Sequence, residues 1–305
     1  MIRRFLSKVK RRLTGKLRPA PLPSRPADPV IDKVISVVLA TLDRRPFLVA
    51  AIRSIRDELR DVPHEIIVVD GGSADGTIEW LAQQKDIITI VQHNRGEWGG
   101  KRIAKRPWGY FINLGFKCAT GKYVCMLSDD CLVCPGAIRN GERFFEDQLN
   151  AGKKVGAVAF FFRDWPLRMK YAVAHNLDQL YVNHGLYLRE ALAEVGYANE
   201  VDFRFYYADT DLVLKMTHCG YECLPCRDSF IEHYIDEEEI LRMENSTVIP
   251  EDLETLLRLW KGKQFPEERE DELRKQVGRW EFIEPDYKDT ANTADAFRGL
   301  SGRRP

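Results

Sequence analysis

Asp129 and Asp130 stand side by side where an apolar, β-prone run, Tyr123-Val-Cys-Met-Leu127, gives out. Two adjacent carboxylates repel each other and are costly to bury. A hard cation with open positions relieves that cost, and Mg²⁺ or Mn²⁺ held this way can bridge a diphosphate. Asp is also common in turns, so the pair alone leaves an ordinary strand-end turn equally open. Other candidates share its setting. Asp70 closes an apolar run just before Gly71-Gly72, and Thr41, Asp43 and Arg44 follow another. Asp209 and Asp211 lie in the acidic segment Tyr206-Tyr-Ala-Asp-Thr-Asp-Leu212, and His233 ends a short apolar stretch. Each has a plain alternative: Asp209 and Asp211 suit a helix start through the macrodipole, and a lone histidine at a strand end is often structural.

The elements that must position these groups follow from the pattern of apolar runs. Val34–Ala40, His64–Val69, Ile87–Val91 and the run before Asp129 are expected to be strands. Helices are expected near Pro46–Leu59, Gly76–Gln84 and Gly109–Cys118. Strands alternating with helices predict an α/β fold with a doubly wound, mostly parallel sheet, whose ligands bind beyond the carboxyl ends of the strands. Thr41, Asp43, Arg44, Asp70, Asp129 and Asp130 all fall on that edge. In the second half, Val155–Phe162 is expected to be a strand, 163–185 a loop-rich insertion, and 188–195 and 206–219 helices. Two short strands, 221–224 and 229–232, lead to His233, and 251–262 and 266–280 are expected to be helical. Residues 1–30 form a basic amphipathic segment and Pro-rich linker, 31–240 the catalytic domain (31–135 and 136–240 its halves), 241–289 a helical extension, and 290–305 a disordered tail.

Composition narrows the function. The 305 residues carry 46 basic and 46 acidic side chains, but nine of the basic ones and only Asp28 of the acidic ones lie in the first 28 residues. The rest has 37 basic against 45 acidic, a net of −8, which argues against nucleic acid as the partner. Ile2, Phe5, Leu6, Val9, Leu13 and Leu17 fall near one helical face with arginines and lysines on the others, so residues 1–18 have the pattern of a helix on an anionic membrane surface. A basic disordered tail is the competing account. With no spanning segment and no signal-peptide core, the expected location is the cytoplasm, peripheral to the cytoplasmic face of a membrane. Seven cysteines fit reduced thiols. The pairs Cys131/Cys134 and Cys223/Cys226 invite a zinc site, but their separation is far too long for a zinc ribbon, and buried thiols are the better account.

Taken in order, Thr41-Leu-Asp-Arg44, Val68-Val-Asp-Gly-Gly-Ser-Ala-Asp-Gly-Thr77, Asn113-Leu-Gly115 with Ala119-Thr-Gly121, Leu127-Ser-Asp-Asp130 with Pro135-Gly136, Leu188-Arg-Glu-Ala-Leu-Ala-Glu-Val-Gly196, Tyr207-Ala-Asp-Thr-Asp-Leu212, Gly220-Tyr221 and Ile231-Glu-His233 resemble the family 2 glycosyltransferases of the GT-A fold. No single motif is specific; the ordered set is. The resemblance spans residues 34–235. It implies an inverting, metal-dependent transfer from a nucleotide-diphosphate sugar to a glycan or lipid-linked acceptor, as in polysaccharide or glycolipid assembly. By the same resemblance, Asp130 and His233 hold the divalent cation. Thr41, Asp43, Arg44, Asp70, Asn113 and Asp129 contact the nucleotide or donor sugar, and Asp209 is the general base. Two departures from the family stand out: Ser128 replaces a third acidic residue, and Ala208 replaces the first member of an acidic pair.

Residues 93–109, with Arg95, Trp98, Lys101, Arg102 and Arg106, are expected to close over the donor; a solvated basic loop is the alternative. Two rivals remain. A sugar-phosphate nucleotidyltransferase would need a Gly-rich loop after its first strand, and Thr41-Leu-Asp-Arg-Arg-Pro46 has no glycine. Loss of the acidic residue at 208 keeps a non-catalytic nucleotide-sugar or glycan binder in view.

Overall fold

The computed structural model describes residues 34–168, 170–235, 247–275 and 277–284. The expected membrane-surface segment 1–18, the expected linker to residue 30 and the expected tail 290–305 lie outside them. In chain order the elements are β1 (Ile35–Thr41), α1 (Arg45–Glu58), β2 (His64–Asp70), α2 (Thr77–Leu81), β3 (Ile87–Val91), β4 (Glu97–Trp98), β5 (Lys101–Arg102), α3 (Trp108–Cys118), β6 (Tyr123–Ser128), β7 (Cys131–Val133) and α4 (Ala137–Asn150). The second half continues with β8 (Val155–Pro166), β9 (Tyr171–Asn176), β10 (Gln179–Leu180), β11 (Gly185–Leu188), α5 (Arg189–Glu194), α6 (Ala208–His218), β12 (Glu222–Ile235), α7 (Ile249–Trp260), a 3₁₀ turn (Glu267–Arg269), α8 (Glu270–Lys275) and β13 (Arg279–Ile283).

The main sheet runs β10-β9-β8-β11-β6-β1-β2-β3. β6, β1, β2 and β3 are parallel, while β11 enters antiparallel between β6 and β8. β1 is almost wholly buried because helices cover both faces of a parallel sheet. The two-residue period sorts its side chains: Ile35, Val37 and Leu39 join a core with Leu48, Ile52 and Ile55 of α1, while Val38 faces Ile112 and Phe116 of α3. Leu39→Ala would cost about 2–5 kcal/mol. Gly115 lets α3 sit close on the sheet, since a Cβ there would lie 2.3 Å from Val38 Cγ1.

Three expectations change. Residues 163–185 are not mainly loop: β8 runs on to Pro166, and β9 and β10 follow. The two short strands before His233 are one, β12, with register shifts near Cys223 and between Cys226 and Phe230. Within 266–280 the helix ends at Lys275, Gly278 turns the chain with a left-handed φ of 75°, and Arg279–Ile283 pairs with β9 as a strand. No helix among the described residues is long and apolar enough to cross a membrane.

Candidate active site

Parallel register brings the candidate residues to one sheet edge. Thr41 and Asp70 are partners at the ends of β1 and β2, and Ala40 pairs with Ser128 at the end of β6. The next two residues, Asp129 and Asp130, are 5% and 6% exposed. Thr41 Oγ1 donates to Asp129 Oδ2 at 2.7 Å. Arg44 Nη1 lies 2.9 Å from Asp130 Oδ2 and 3.4 Å from Asp129 Oδ1. Asp43 has a left-handed φ of 54°, accepts from Ala74 N–H at 2.6 Å, and is clasped by Arg95 Nη2 at 2.8 Å to each oxygen. Arg44 is thus held against the adjacent carboxylates.

β12 brings His233 to the same place from across the chain. It is the strand partner of Cys131 on one side and Asp164 on the other. His233 Nδ1 lies 2.8 Å from Asp164 Oδ1, and Nε2 lies 3.5 Å from Asp130 Oδ1. With Nδ1–H donated to Asp164, Nε2 is aimed at Asp130, the arrangement in which a carboxylate orients a metal-binding imidazole. Burial works against charge on His233, yet Asp130 and Asp164 together lift it to about 10. Burial would raise Asp130, but Arg44 and His233 outweigh it and hold the carboxyl well below its ordinary range. A divalent cation shared by Asp130 and His233 would take the place of the Nε2 proton, since a metal-bound imidazole is neutral.

Asp70 is fully buried, and Oδ1 accepts from the N–H groups of Gly72 and Ser73, both at 2.7 Å. Its Oδ2 has no hydrogen-bond partner among the described residues. A buried acceptor left open is expensive unless a ligand donor meets it. Gly72 has a φ of 89°, and a Cβ there would meet the His93 ring at 3.1 Å.

Asp209 lies in the first turn of α6, directly after Tyr207, which holds a left-handed φ of 62°, and Ala208. Among the described residues its hydrogen bonds come from Thr210 alone, the backbone N–H at 2.7 Å and the hydroxyl at 3.5 Å. Burial pushes the carboxyl up to about 6, against the pull of those bonds. Tyr181 is raised by burial and then by the charges of Asp209 and Asp164. Asp211 is structural: Oδ1 accepts from Trp260 Nε1 at 2.9 Å.

The family model described as Glycosyl transferase family 2 matches residues 36–190, just over half of the chain and the half that carries the strand-edge carboxylates. The chain belongs to this family. Among solved structures, the glycosyltransferase is similar in fold to the mannosyltransferase PcManGT from Pyrobaculum calidifontis in complex with GDP-Man and Mn²⁺, at 18% identity and a TM-score of 0.54, over 88% of this chain and 74% of that one. It is also similar to S. aureus TarS 1-349, in complex with UDP at 15% identity and a TM-score of 0.51 (78% and 77% covered). The same protein with UDP-GlcNAc matches at 13% and 0.51 (80% and 79%). No curated protein matches it in sequence. The GT-A architecture expected from the motifs is the one observed.

Asn113 does not join the edge in this glycosyltransferase. Its amide donates to Ala198 O at 2.9 Å and Glu200 Oε1 at 2.7 Å, and its oxygen accepts from Ala198 N–H at 3.0 Å, so the side chain is spent tying α3 to the 198–200 loop. Residues 93–109 fold back as the β4–β5 ribbon. Arg95 bonds Gly72 O as well as Asp43, Arg106 stacks 5.1 Å from the Tyr110 ring, and Lys101 and Arg102 are exposed.

Two further groups escaped the sequence reading. Asp164 orients His233, and Arg168 in turn holds Asp164 at 2.8 Å while stacking 3.8 Å from the Trp280 ring of β13. Asp252 of α7 is 1% exposed and accepts from three successive backbone N–H groups, Arg204, Phe205 and Tyr206, at 2.8–2.9 Å. It fixes the turn that delivers Asp209. The only sequence hint was an acidic residue in the first turn of a helix, which is commonplace.

Proposed function

We propose that this glycosyltransferase moves a sugar from a nucleotide-diphosphate donor to an acceptor hydroxyl with inversion, assisted by Mn²⁺ or Mg²⁺, in polysaccharide or glycolipid assembly. The observation that carries the reading is the meeting of Asp130 with His233 Nε2 beside the ends of β1 and β2. The complexes of the similar folds with GDP-Man and Mn²⁺, with UDP and with UDP-GlcNAc support a nucleotide-sugar donor. Asp130 and His233 are the residues that would hold the cation, and when bound it supplies positive charge for the departing diphosphate.

The chain's own groups do the rest. Asp70 Oδ2 receives a donor hydrogen from the base or ribose, and Thr41 and Arg44 set Asp129 toward the ribose or donor sugar. Asp43, clasped by Arg95, shapes the turn beside them. Asp209 takes the proton from the acceptor hydroxyl as that oxygen bonds to the anomeric carbon. The bond from that carbon to phosphate oxygen breaks on the opposite side, and its electron pair leaves with the diphosphate. A pKa near 6 leaves Asp209 ionised at neutral pH yet close enough to accept a proton. One in-line displacement inverts the configuration. The proposed boundaries are a catalytic domain over 31–240 and an extension over 241–289, with residues 1–18 contacting the cytoplasmic membrane face and the chain presenting its site to a lipid-linked acceptor.

A thermal-shift screen of nucleoside diphosphates and nucleotide-sugars, with Mn²⁺, Mg²⁺ or a chelator, tests the reading. Ligand at 100 times its Kd stabilises the fold by about 2.7 kcal/mol, and chelation should remove most of that gain. Equal stabilisation with and without the cation would overturn the metal-assisted reading; no response to any nucleotide would overturn the whole.

A further inference from the structure

Two buried groups stand beside the proposed cation site with no part in the transfer: Cys131, the first residue of β7, and His184, just before β11, each 1% exposed. Cys131 Sγ lies 3.7 Å from both Nδ1 and Nε2 of His184. Because β12 runs beside β7, His233 is the strand partner of Cys131, and one ligand atom from each of Cys131, His184 and His233 lies within 4.8 Å of the others. Asp130 Oδ1 is 3.9 Å from the thiol sulfur and 3.5 Å from His233 Nε2. Cys131, His184 and His233 thus form a three-residue cluster, and Asp130 Oδ1 flanks its Cys131–His233 side.

Tetrahedral zinc, with bonds of about 2.3 Å to sulfur and about 2.0 Å to nitrogen or oxygen, sets its ligand atoms about 3.3–3.6 Å apart. The Cys131–His184 separation of 3.7 Å is already near that, and the remaining ligand atoms of the cluster, within 4.8 Å of one another, close by at most about 1.5 Å on binding. The second shell is already built. Asp164 holds the far nitrogen of His233, and the Phe162 ring meets both imidazoles edge to face, at 5.0 Å for His184 and 6.1 Å for His233. Thiolate and imidazole together select a softer ion than Mg²⁺ or Mn²⁺.

We propose that Cys131, His184 and His233, with Asp130 Oδ1 as fourth donor, form a Zn²⁺ site whose filling excludes the donor's hard cation. The site stands on its own geometry. The exclusion rests on the proposed function, because it takes Asp130 and His233 away from the diphosphate's cation. On binding, the Cys131 thiol and the protonated His233 ring each give a proton to solvent, so that thiolate and neutral imidazole ligate.

The test uses the full chain, freed of metal by chelator and titrated with Co²⁺ alone. Thiolate ligation gives a sulfur-to-cobalt charge-transfer band in the near ultraviolet, and tetrahedral geometry gives intense visible bands. We expect both to saturate at one Co²⁺ per chain and to be bleached by one equivalent of Zn²⁺. Cys131→Ser and Cys131→Ala should lose the ultraviolet band, and His184→Asn should weaken Co²⁺ binding at least about 10-fold. Since these buried positions can affect folding, the wild-type spectrum decides: a folded wild type without a thiolate band overturns the site. Calorimetry of nucleoside diphosphate binding with Mn²⁺ separates the two claims. Zn²⁺ should weaken it at least about 10-fold. Thiolate bands without that loss would keep the site and overturn the exclusion, whereas Mn²⁺-supported binding without the bands would overturn the site and leave the proposed function standing.

Discussion

Asp209→Asn should make the protein more stable and much less active. Asn keeps the size of the side chain and an oxygen for the Thr210 N–H that Asp209 Oδ1 accepts at 2.7 Å. What it loses is the proton site. Burial holds the Asp209 carboxyl at about 6 against an ordinary 3.8. A folded-state pKa above the unfolded one means that ionising Asp209 costs the fold: below 3.8 both states carry the proton, and stability drains away as pH rises through about 6. A gap of about 2 pH units, at about 1.36 kcal/mol each, sets the cost near 3 kcal/mol, an upper bound because part of the side chain meets water.

Urea melts of both proteins at pH 5, 6, 7 and 8 read this directly. The variant should exceed the wild type by up to about 3 kcal/mol at pH 7 and 8, with the gap narrowing below pH 6 to about half of that at pH 5. Product formation should fall about 100- to 10,000-fold in the variant, and wild-type kcat should rise with pH through about 6. A stability gap that ignores pH would refute the burial argument. A fully active variant would refute Asp209 as the base.

Three further outcomes are expected. Asp70→Asn keeps an oxygen for Gly72 and Ser73 but can turn a donor toward the open Oδ2 position, so calorimetry should show nucleoside diphosphate affinity falling about 10-fold or more; an unchanged Kd would end that role. Asp252→Ala leaves the N–H groups of Arg204, Phe205 and Tyr206 without their acceptor, so urea melts should show a loss of about 2–3 kcal/mol and kinetics a larger fall in kcat than in donor affinity. Equal falls would make the residue merely structural. Deleting residues 1–28 should abolish co-sedimentation with anionic vesicles, and equal binding by both proteins would remove the membrane contact.

The parts of the site that the sequence makes legible are those whose local pattern marks where a strand ends. Apolar runs stop at Thr41, Asp70 and Asp129, and parallel register then aligns those ends without further information. The family resemblance places Asn113 in the site with the motif around it, and its helix is where expected; a helix position names an element but not the face that a loop 85 residues away will claim. Asp164 and His184 carried no signal because their meaning lies in partners: His233 is 69 residues beyond Asp164, and Cys131 is 53 residues before His184. The Cys-x-x-Cys spacing drew attention to cysteine pairs, whereas the fold surrounds Cys131 with histidines and a carboxylate.

The C-terminal extension shows the same limit in reverse. Its composition, charged and helical, marks it as an addition to the catalytic body. Yet Asp252 caps the turn before Asp209, Trp260 bonds Asp211 in the same helix, and Trp280 stacks on the arginine that holds Asp164. Asp209 and His233 are thus each braced from the last fifth of the chain, by contacts of kinds that hydropathy does not register: a carboxylate on backbone N–H groups, an indole N–H on a carboxylate, and a guanidinium on a ring. An enzyme that must hold a partly buried carboxylate near pKa 6 and an imidazole between two acids needs such bracing, because neither group is stable where it sits without fixed neighbours.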